Sequence, residues 1–180
     1  MSEKKAFFEQ TLVLARKGWG NTHPNPMVGT LIVEGGQIVA EGYHQKAGSP
    51  HAEVEAIRGL GRAPQDGASM FVSLEPCSTT GRTPPCVQGI LNAGIKRVYI
   101  GATDPNPAHA GRGIDILRDA GVQVEMANEE FQTRATRLNL IFNHNITTGN
   151  ALVALKLAES ANGMLAEVKG QPSRITESEA

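Results

Sequence analysis

The amino-acid sequence predicts an α/β protein: a three-layer α/β/α sandwich around a mixed sheet of about five strands. After residue 50, short apolar runs typical of strands alternate with single amphipathic segments typical of helices. Strands separated by one helix imply crossover connections and therefore parallel pairing. Before residue 50, two strand-like runs meet at Gly35-Gly36, a dipeptide that permits the positive φ angles of a tight hairpin. One end of the sheet is therefore predicted to be antiparallel.

The individual elements follow from the spacing of apolar residues. Residues 4–17 carry apolar side chains at helical intervals, and Gly18 is predicted to end that helix in a left-handed conformation. Residues 27–33 and 37–43 are strand-like runs, which predicts the two arms of the hairpin. The remaining predictions are helices at about 51–60, 84–93, 111–120 and 129–146, and strands at 69–74, 96–101 and 122–126.

The end of the chain breaks this alternation. Residues 151–157 have the pattern of one more strand, but a polar segment leads from there to residue 180. With 180 residues and 40% hydrophobic content, the chain can bury one sizeable core and a small appendage, but not two full domains. We therefore expect one domain over residues 1–147 and a tail over residues 148–180.

The overall charge narrows the class of partner. A formal net charge of −1 gives no reason to expect a long nucleic acid or an acidic membrane surface, because their binders usually carry an excess of Lys and Arg. A small-molecule substrate is favoured. The first residues include charged side chains and lack the apolar run of a signal peptide or a spanning helix, so we expect a cytoplasmic location.

The residues with chemical potential are the two cysteines of the chain, Cys77 and Cys86, and the triplet His51-Ala-Glu53. A catalytic zinc ion usually takes three protein ligands and leaves its fourth position to water, and one imidazole with two thiolates meets that count. We predict that His51, Cys77 and Cys86 bind Zn²⁺. A disulfide is disfavoured in a reducing compartment. A closed structural zinc site would need a fourth ligand, and the other histidines show no finger-like pairing.

Glu53 is the predicted proton carrier of this site. His51 and Cys86 each follow a proline at a predicted helix start, where the partial positive charge of the helix end favours thiolates. Zinc brings the pKa of a bound water toward ~7. Glu53 lies two residues after the histidine, so it can take the water's proton and deliver it to a ring nitrogen and to leaving ammonia.

The arrangement resembles the His-x-Glu and Pro-Cys-x-x-Cys signature of zinc nucleobase deaminases. Here the spacer between the two cysteines has eight residues instead of two. The longer spacer carries glycine, arginine and hydroxyl side chains beside the metal, which suits it to hold a phosphate or another polar substituent of a substrate.

Several longer motifs occur in order along the chain: His23-Pro-Asn-Pro-Met-Val-Gly29, Glu41-Gly-Tyr-His44, Gly48-Ser-Pro-His-Ala-Glu53, Leu74-Glu-Pro-Cys-Ser78, Gly81-Arg-Thr-Pro-Pro-Cys86, Asp104-Pro-Asn-Pro107 and Gly111-Arg-Gly113. Through them, about the first 145 residues resemble the deaminase half of the bacterial bifunctional riboflavin-biosynthesis deaminase/reductase family. The resemblance implies a cytidine-deaminase-like fold and a zinc-dependent hydrolase. Its substrate would be 2,5-diamino-6-(5-phosphoribosylamino)pyrimidin-4(3H)-one, converted to 5-amino-6-(5-phosphoribosylamino)uracil.

The same resemblance implies that five residues contact the substrate: Asn25, His44, Arg82, Asp104 and Asn106. Each has a plainer interpretation as well. These are an Asn-Pro turn, a structural histidine at a strand end, a solvated surface arginine and, for the last two residues, a simple β-turn. The last two follow a predicted strand at its carboxyl end, where open α/β sheets place their ligands.

Two departures from the family pattern bear on function. The family usually has a histidine where this chain has Thr79, so one substrate contact is missing there. The family chain also continues into an NADPH-dependent reductase, whose opening strand is similar, in altered form, to residues 151–166. We expect no reductase activity from these 180 residues, and a separate reductase is compatible with the sequence.

Three functions are open on the sequence alone. The riboflavin-pathway reaction is favoured, and the alternatives are a deaminase of another small nucleobase or nucleotide and a catalytically inactive zinc-binding module. An RNA deaminase is disfavoured, because a two-residue spacer and a basic surface would signal one. Apolar helix faces and a strand-forming tail are compatible with a homodimer.

Overall fold

The computed structural model describes residues 3–79, 84–107, 109–159 and 163. Within that part, no helix is long and apolar enough to cross a membrane. Helices and strands follow one another in the predicted order: α1 (Glu3–Arg16), β1 (Gly29–Glu34), β2 (Gln37–Tyr43), α2 (Ala52–Leu60), β3 (Ser69–Val72), α3 (Cys86–Ala93), β4 (Arg97–Ile100), α4 (Arg112–Asp119), β5 (Gln123–Met126), α5 (Glu129–Leu138) and α6 (Leu140–Thr148).

The strands form one five-stranded sheet in the order β2-β1-β3-β4-β5. β1 pairs antiparallel with β2 and with β3, whereas β3, β4 and β5 run parallel, so the predicted mixed sheet is confirmed. Gly35 and Gly36 connect β1 to β2 with φ angles of 55° and 79°, as a two-residue hairpin requires. Because α3 and α4 are the crossovers of the parallel half, the carboxyl ends of three neighbouring strands open on one edge of the sheet.

Alternate side chains of the strands enter two separate apolar cores, one on each face of the sheet. Leu31 and Phe71 pack with residues of α1 and α5, while Ile32 and Met70 pack with residues of α2, α3 and α4. Phe71 also stacks on Tyr99, with ring centroids 4.4 Å apart. The sheet is therefore held between two helical layers, and the predicted α/β/α sandwich is confirmed.

Gly18 has a different role from the predicted one. α1 ends at Arg16, and Gly18 does not adopt a positive φ angle. A Cβ atom at position 18 would lie 2.6 Å from the carbonyl oxygen of His44. Glycine is therefore required by a close approach of two backbone segments rather than by a left-handed helix cap.

The single helix predicted over residues 129–146 is in fact two helices, α5 and α6, which meet at Asn139. The Asn139 side chain accepts a hydrogen bond from Met27 N at 2.8 Å and donates one to Met27 O at 2.9 Å. This pair of bonds stabilises Asn139 in a non-helical conformation, with φ −104° and ψ 31°. The prediction was wrong because the partner lies 112 residues away in the sequence.

Residues 151–157 are not a strand, contrary to the prediction. Residues 151–159 have no regular secondary structure, and Val153, Leu155 and Leu157 are 88, 81 and 62% exposed. The apolar alternation is present, but the segment pairs with neither edge strand of the described sheet, β2 or β5, and an unpaired extended segment is not a stable strand. Apart from residue 163, the tail beyond residue 159 lies outside the described residues, and the domain boundary at residue 147 stays a prediction.

Candidate metal centre

Three separate segments bring the predicted zinc ligands together. His51 is the N-cap of α2, Cys77 lies in the loop after β3, and Cys86 is the first residue of α3. Their ligand atoms all lie within 4.8 Å of one another. His51 Nδ1 lies 3.1 Å from Cys86 Sγ and 3.5 Å from Cys77 Sγ. Ligand atoms around a tetrahedral zinc ion are separated by roughly 3.5 Å, so one ion can contact all three.

The local sequence explains why these side chains converge. α2 and α3 pack against each other on one face of the sheet, and a proline directly precedes the first ligand of each helix. Cys77 is attached to the first turn of α3 by two hydrogen bonds: Cys86 N donates to Cys77 Sγ at 3.3 Å, and Val87 N donates to Cys77 O at 3.2 Å. Amide donors at a helix N-terminus favour a thiolate at this position.

The two thiol groups differ strongly in their protonation. Hydrogen bonds, first from the Cys86 thiol and then from His51, lower the pKa of Cys77 to about 4 against the opposing effect of burial. The same bond to Cys77, followed by burial, raises the pKa of Cys86. The contact with Cys77 also raises the pKa of His51. Cys77 is therefore favoured as a thiolate, which is the form that binds a divalent cation.

Glu53 lies in the first turn of α2, directly beside the cluster. Its side chain is buried, with 3% exposure, in the helix turn that directly follows the ligand His51. Burial raises the pKa of Glu53 to about 7, and the negative charge of Cys77 contributes to that increase. A carboxyl group with a pKa near neutrality both takes up and gives back a proton, which is what a general acid and base must do.

The structure also brings Asn25 and His44 together. Asn25 Nδ2 lies 3.1 Å from His44 Nε2, and His44 Nδ1 lies 3.1 Å from Pro50 O. Because a carbonyl oxygen only accepts, Nδ1 carries the ring proton and Nε2 accepts from the Asn25 amide. Burial lowers the pKa of His44, which favours this neutral ring. His44 therefore orients Asn25 and the segment that leads into His51. The His44 and His51 rings also pack edge-on, with centroids 5.2 Å apart.

Asp104 and Asn106 lie in the loop after β4, at the carboxyl end of the parallel strands. Asp104 Oδ1 accepts a hydrogen bond from Asn106 N at 2.8 Å, which closes a turn of the Asx type. Both residues are half-buried. Burial raises the pKa of Asp104, with smaller contributions from the charges of Glu75 and Cys77. This carboxyl group is therefore within electrostatic reach of the metal-ligand cluster.

The sequence analysis did not identify two residues near the site, Glu75 and Asn139. Glu75, two residues before Cys77, is buried and accepts four backbone hydrogen bonds. Asn139 binds the backbone of Met27, two residues after Asn25. A charged residue inside an otherwise apolar run was an available signal for Glu75. No local signal pointed to Asn139, because its partner is distant in the sequence.

Arg82, the predicted phosphate ligand, lies outside the described residues, as do the other residues of 80–83. Thr79, which stands where a histidine is usual, is described and is exposed. Four of the five predicted substrate contacts are therefore among the described residues: Asn25, His44, Asp104 and Asn106.

A family model described as the cytidine and deoxycytidylate deaminase zinc-binding region matches residues 1–102, more than half of the chain. The chain belongs to this family. The matched residues include His51, Glu53, Cys77 and Cys86. A zinc-binding deaminase family and a cluster of one histidine and two cysteines agree on Zn²⁺ as the cofactor that fits the site.

Individual relatives show which members of this family the chain is similar to. The chain is 44% identical to the riboflavin biosynthesis protein RibD of Aquifex aeolicus, over 98% of this chain and 49% of that protein. RibD from Acinetobacter baumannii, form 1, superimposes with a TM-score of 0.87 at 42% identity, over 98% of this chain and 49% of that one. These proteins confirm the resemblance that the motifs indicated.

A third relative is a Thermotoga maritima protein described as a diaminohydroxyphosphoribosylaminopyrimidine deaminase/5-amino-6-(5-phosphoribosylamino)uracil reductase. Its structure matches with a TM-score of 0.89 at 38% identity, over 97% of this chain and 50% of that one. The chain thus spans about half the length of the relatives it matches.

Proposed function

We propose that this deaminase-family chain hydrolyses 2,5-diamino-6-(5-phosphoribosylamino)pyrimidin-4(3H)-one to 5-amino-6-(5-phosphoribosylamino)uracil and ammonia, as a step of riboflavin biosynthesis. The observation that carries the proposal is the convergence of His51, Cys77 and Cys86 within 4.8 Å, in a chain 44% identical to RibD. Water adds across the C=N bond of the ring at C2, and the bond from C2 to the amino group then breaks. The products have a ring N–H, a carbonyl group at C2 and free ammonia.

His51, Cys77 and Cys86 would hold the zinc ion. When bound, Zn²⁺ supplies Lewis-acid activation of the attacking water, whose pKa it lowers toward ~7. Glu53 takes a proton from that water on its carboxylate and donates it to the ring nitrogen next to C2. Glu53 then takes the second water proton from the hydroxyl group formed at C2 and transfers it to the amino group, which leaves as ammonia while the C2 carbonyl group forms. The position of Glu53 supports this role, because it is buried in the first turn of α2, two residues after the proposed ligand His51.

The substrate contacts are part of the same proposal. The Asn25 amide is oriented by its bond to His44, and its opposite end can accept an N–H of the pyrimidine edge. Asp104 and Asn106 lie at the carboxyl end of β4, where they can bind the rest of the ring and the ribose. Arg82 is proposed to bind the phosphate group.

The proposed setting is the cytoplasm, because two thiols that serve as zinc ligands persist in a reducing compartment. The Thermotoga maritima protein is described as having a reductase for 5-amino-6-(5-phosphoribosylamino)uracil, which is the product of the proposed reaction. We therefore propose that a reductase activity, in the same or a separate polypeptide, consumes what this chain makes. A homodimer remains part of the proposal.

The test is ammonia release from the diaminopyrimidine ribotide by zinc-loaded protein. Glu53→Gln is expected to retain one zinc per chain and to lower kcat by at least about 100-fold, because it removes the proton carrier. Glu55→Gln is the matched control: Glu55 is on the same helix turn, pairs with Arg58 at 3.8 Å, and should leave kcat unchanged.

Two other substrates separate the alternatives. Deoxycytidylate and guanine lack the phosphoribosylamino group and should release no ammonia at comparable concentrations. Release from one of them, and none from the ribotide, would assign a different small-molecule deaminase. A folded, zinc-bearing wild type that acts on none of the three would be an inactive module.

A further inference from the structure

Glu75 is a buried carboxylate, 6% exposed, that binds backbone amides on two sides of a loop. Its Oε2 accepts from Asp104 N at 3.1 Å and from Gly111 N at 3.0 Å. Its Oε1 accepts from Gly113 N at 2.8 Å and from Ile114 N at 3.4 Å. Four N–H donors around one carboxylate leave little room for any other rotamer of Glu75.

The four donors come from both ends of one stretch of chain. Asp104 lies near the start of the loop after β4, while Gly111 is the N-cap of α4 and Gly113 lies in its first turn. The partial positive charge of a helix N-terminus favours a carboxylate at this place. The approach is close, because a Cβ atom on Gly113 would lie 2.2 Å from Pro76 O. Glu75 thus fixes where the loop starts and where α4 begins.

Glu75 lies two residues before the proposed zinc ligand Cys77 in the chain. Glu75 N donates to Ala102 O at 2.8 Å, which extends the pairing of the β3 and β4 segments. Two residues later, Cys77 is attached to α3 through the amides of Cys86 and Val87. The carboxylate of Glu75 therefore joins the segment that presents a zinc ligand to the loop that presents Asp104.

We propose that Glu75 is a positioning residue that sets residues 103–107, the substrate-side loop, relative to the zinc ligand Cys77. The inference rests on the proposed function, since it assigns the loop a role in binding that substrate. Glu75→Gln has nearly the same shape, but its amide nitrogen cannot accept a hydrogen bond. At least one pair of N–H groups would then face a donor, and the loop would be released while the zinc ligands stay in place.

The first experiment compares steady-state kinetics and zinc content of Glu75→Gln with those of Glu34→Gln. Glu34 is an equally buried carboxylate that accepts hydrogen bonds from Arg62 and from Gln65 N. It is the last residue of β1, and because β1 runs antiparallel to β3, it lies at the opposite edge of the sheet from Glu75. We expect Glu75→Gln to raise KM for the ribotide about tenfold with kcat within about threefold and one zinc per chain. Glu34→Gln should lower the melting temperature without changing KM. Equal KM values for Glu75→Gln and wild type would overturn the proposal.

The second experiment needs no variant and no substrate. Amide hydrogen exchange by NMR in the wild type should show the Asp104 and Gly111 amides protected about 100-fold, although neither residue lies inside a helix or strand. Rapid exchange at both amides would show that Glu75 does not hold them, and would overturn the proposal even if Glu75→Gln fails to fold. A wild type that releases no ammonia but shows protected amides would reject the proposed function and retain the anchoring role of Glu75.

Discussion

The packing of α2 against the hairpin allows a sharp test of how the metal centre is supported. Gly42 lies in β2, and a Cβ atom on it would lie 2.2 Å from Ala52 O and 2.5 Å from Ala56 N. Both are backbone atoms of α2, so no side-chain rotation relieves the contact. Gly42→Ala must therefore move the whole helix away from the sheet.

The size of the effect follows from those distances. Cβ contacts shorter than 3.0 Å are essentially absent from real proteins, so α2 must retreat by about 1 Å. Overpacking of this kind costs about 1–3 kcal/mol, or roughly 3–10 °C in melting temperature for a chain of this size. His51 and Glu53 are at the start of α2 and would move with it. A displacement of about 1 Å at reacting groups can lower the rate by about 100-fold.

Thermal unfolding, zinc per chain and ammonia release measure the three consequences. Gly59→Ala is the matched control, because Gly59 is exposed on the same helix and the atom nearest to its added Cβ is Glu41 O, at 3.7 Å. It should raise stability by about 0.5–1 kcal/mol and leave activity unchanged. If Gly42→Ala had the wild-type melting temperature, zinc content and activity, the metal centre would not depend on the close packing of Gly42 against α2.

Three further outcomes are expected. Arg134 lowers the pKa of Glu9 below its usual value of 4.5, so their ion pair stabilises the fold above that pH and is lost as the pH falls through the lowered pKa. The stability gap between wild type and Glu9→Gln, about 0.5 kcal/mol for a pair this exposed, should therefore shrink in acid unfolding titrations below pH 4.5, and a constant gap would contradict this. Asn139→Ala should lower the free energy of unfolding in urea by about 1–3 kcal/mol, because Met27 N and O lose their partner. A loss under about 0.5 kcal/mol would show that these two bonds do not stabilise the fold. Chelation should lower the melting temperature and added zinc should restore it, since the metal joins three chain segments; an unchanged melt would refute a structural contribution of the metal.

Much of the fold was predictable because local patterns determine it. The order of helices and strands followed from apolar periodicity, and the Gly35-Gly36 hairpin followed from the φ angles that only glycine adopts readily. The cluster of His51, Cys77 and Cys86 was predictable because so few residues of this chain have suitable chemistry. With two cysteines and one His-x-Glu triplet in the chain, composition alone left few other ligand sets.

What escaped prediction depends on contacts between distant segments. The break at Asn139 is caused by Met27, and the need for glycine at position 18 is caused by the His44 carbonyl group. The bonds of His44 to Asn25 and Pro50 were likewise invisible in the sequence, which identified the histidine but not the direction of its ring nitrogens. Side-chain hydrogen bonds across such separations leave no periodic trace.

The way in which Cys77 and Cys86 are attached has a consequence for protein engineering. Their segments are joined directly, through the bonds from Cys86 N and Val87 N to Cys77, and α3 anchors the second cysteine independently of what precedes it. The two cysteines are therefore held close together by bonds that do not involve the residues between them. We expect connections of other lengths to be tolerated there, with the three metal-binding side chains left in place.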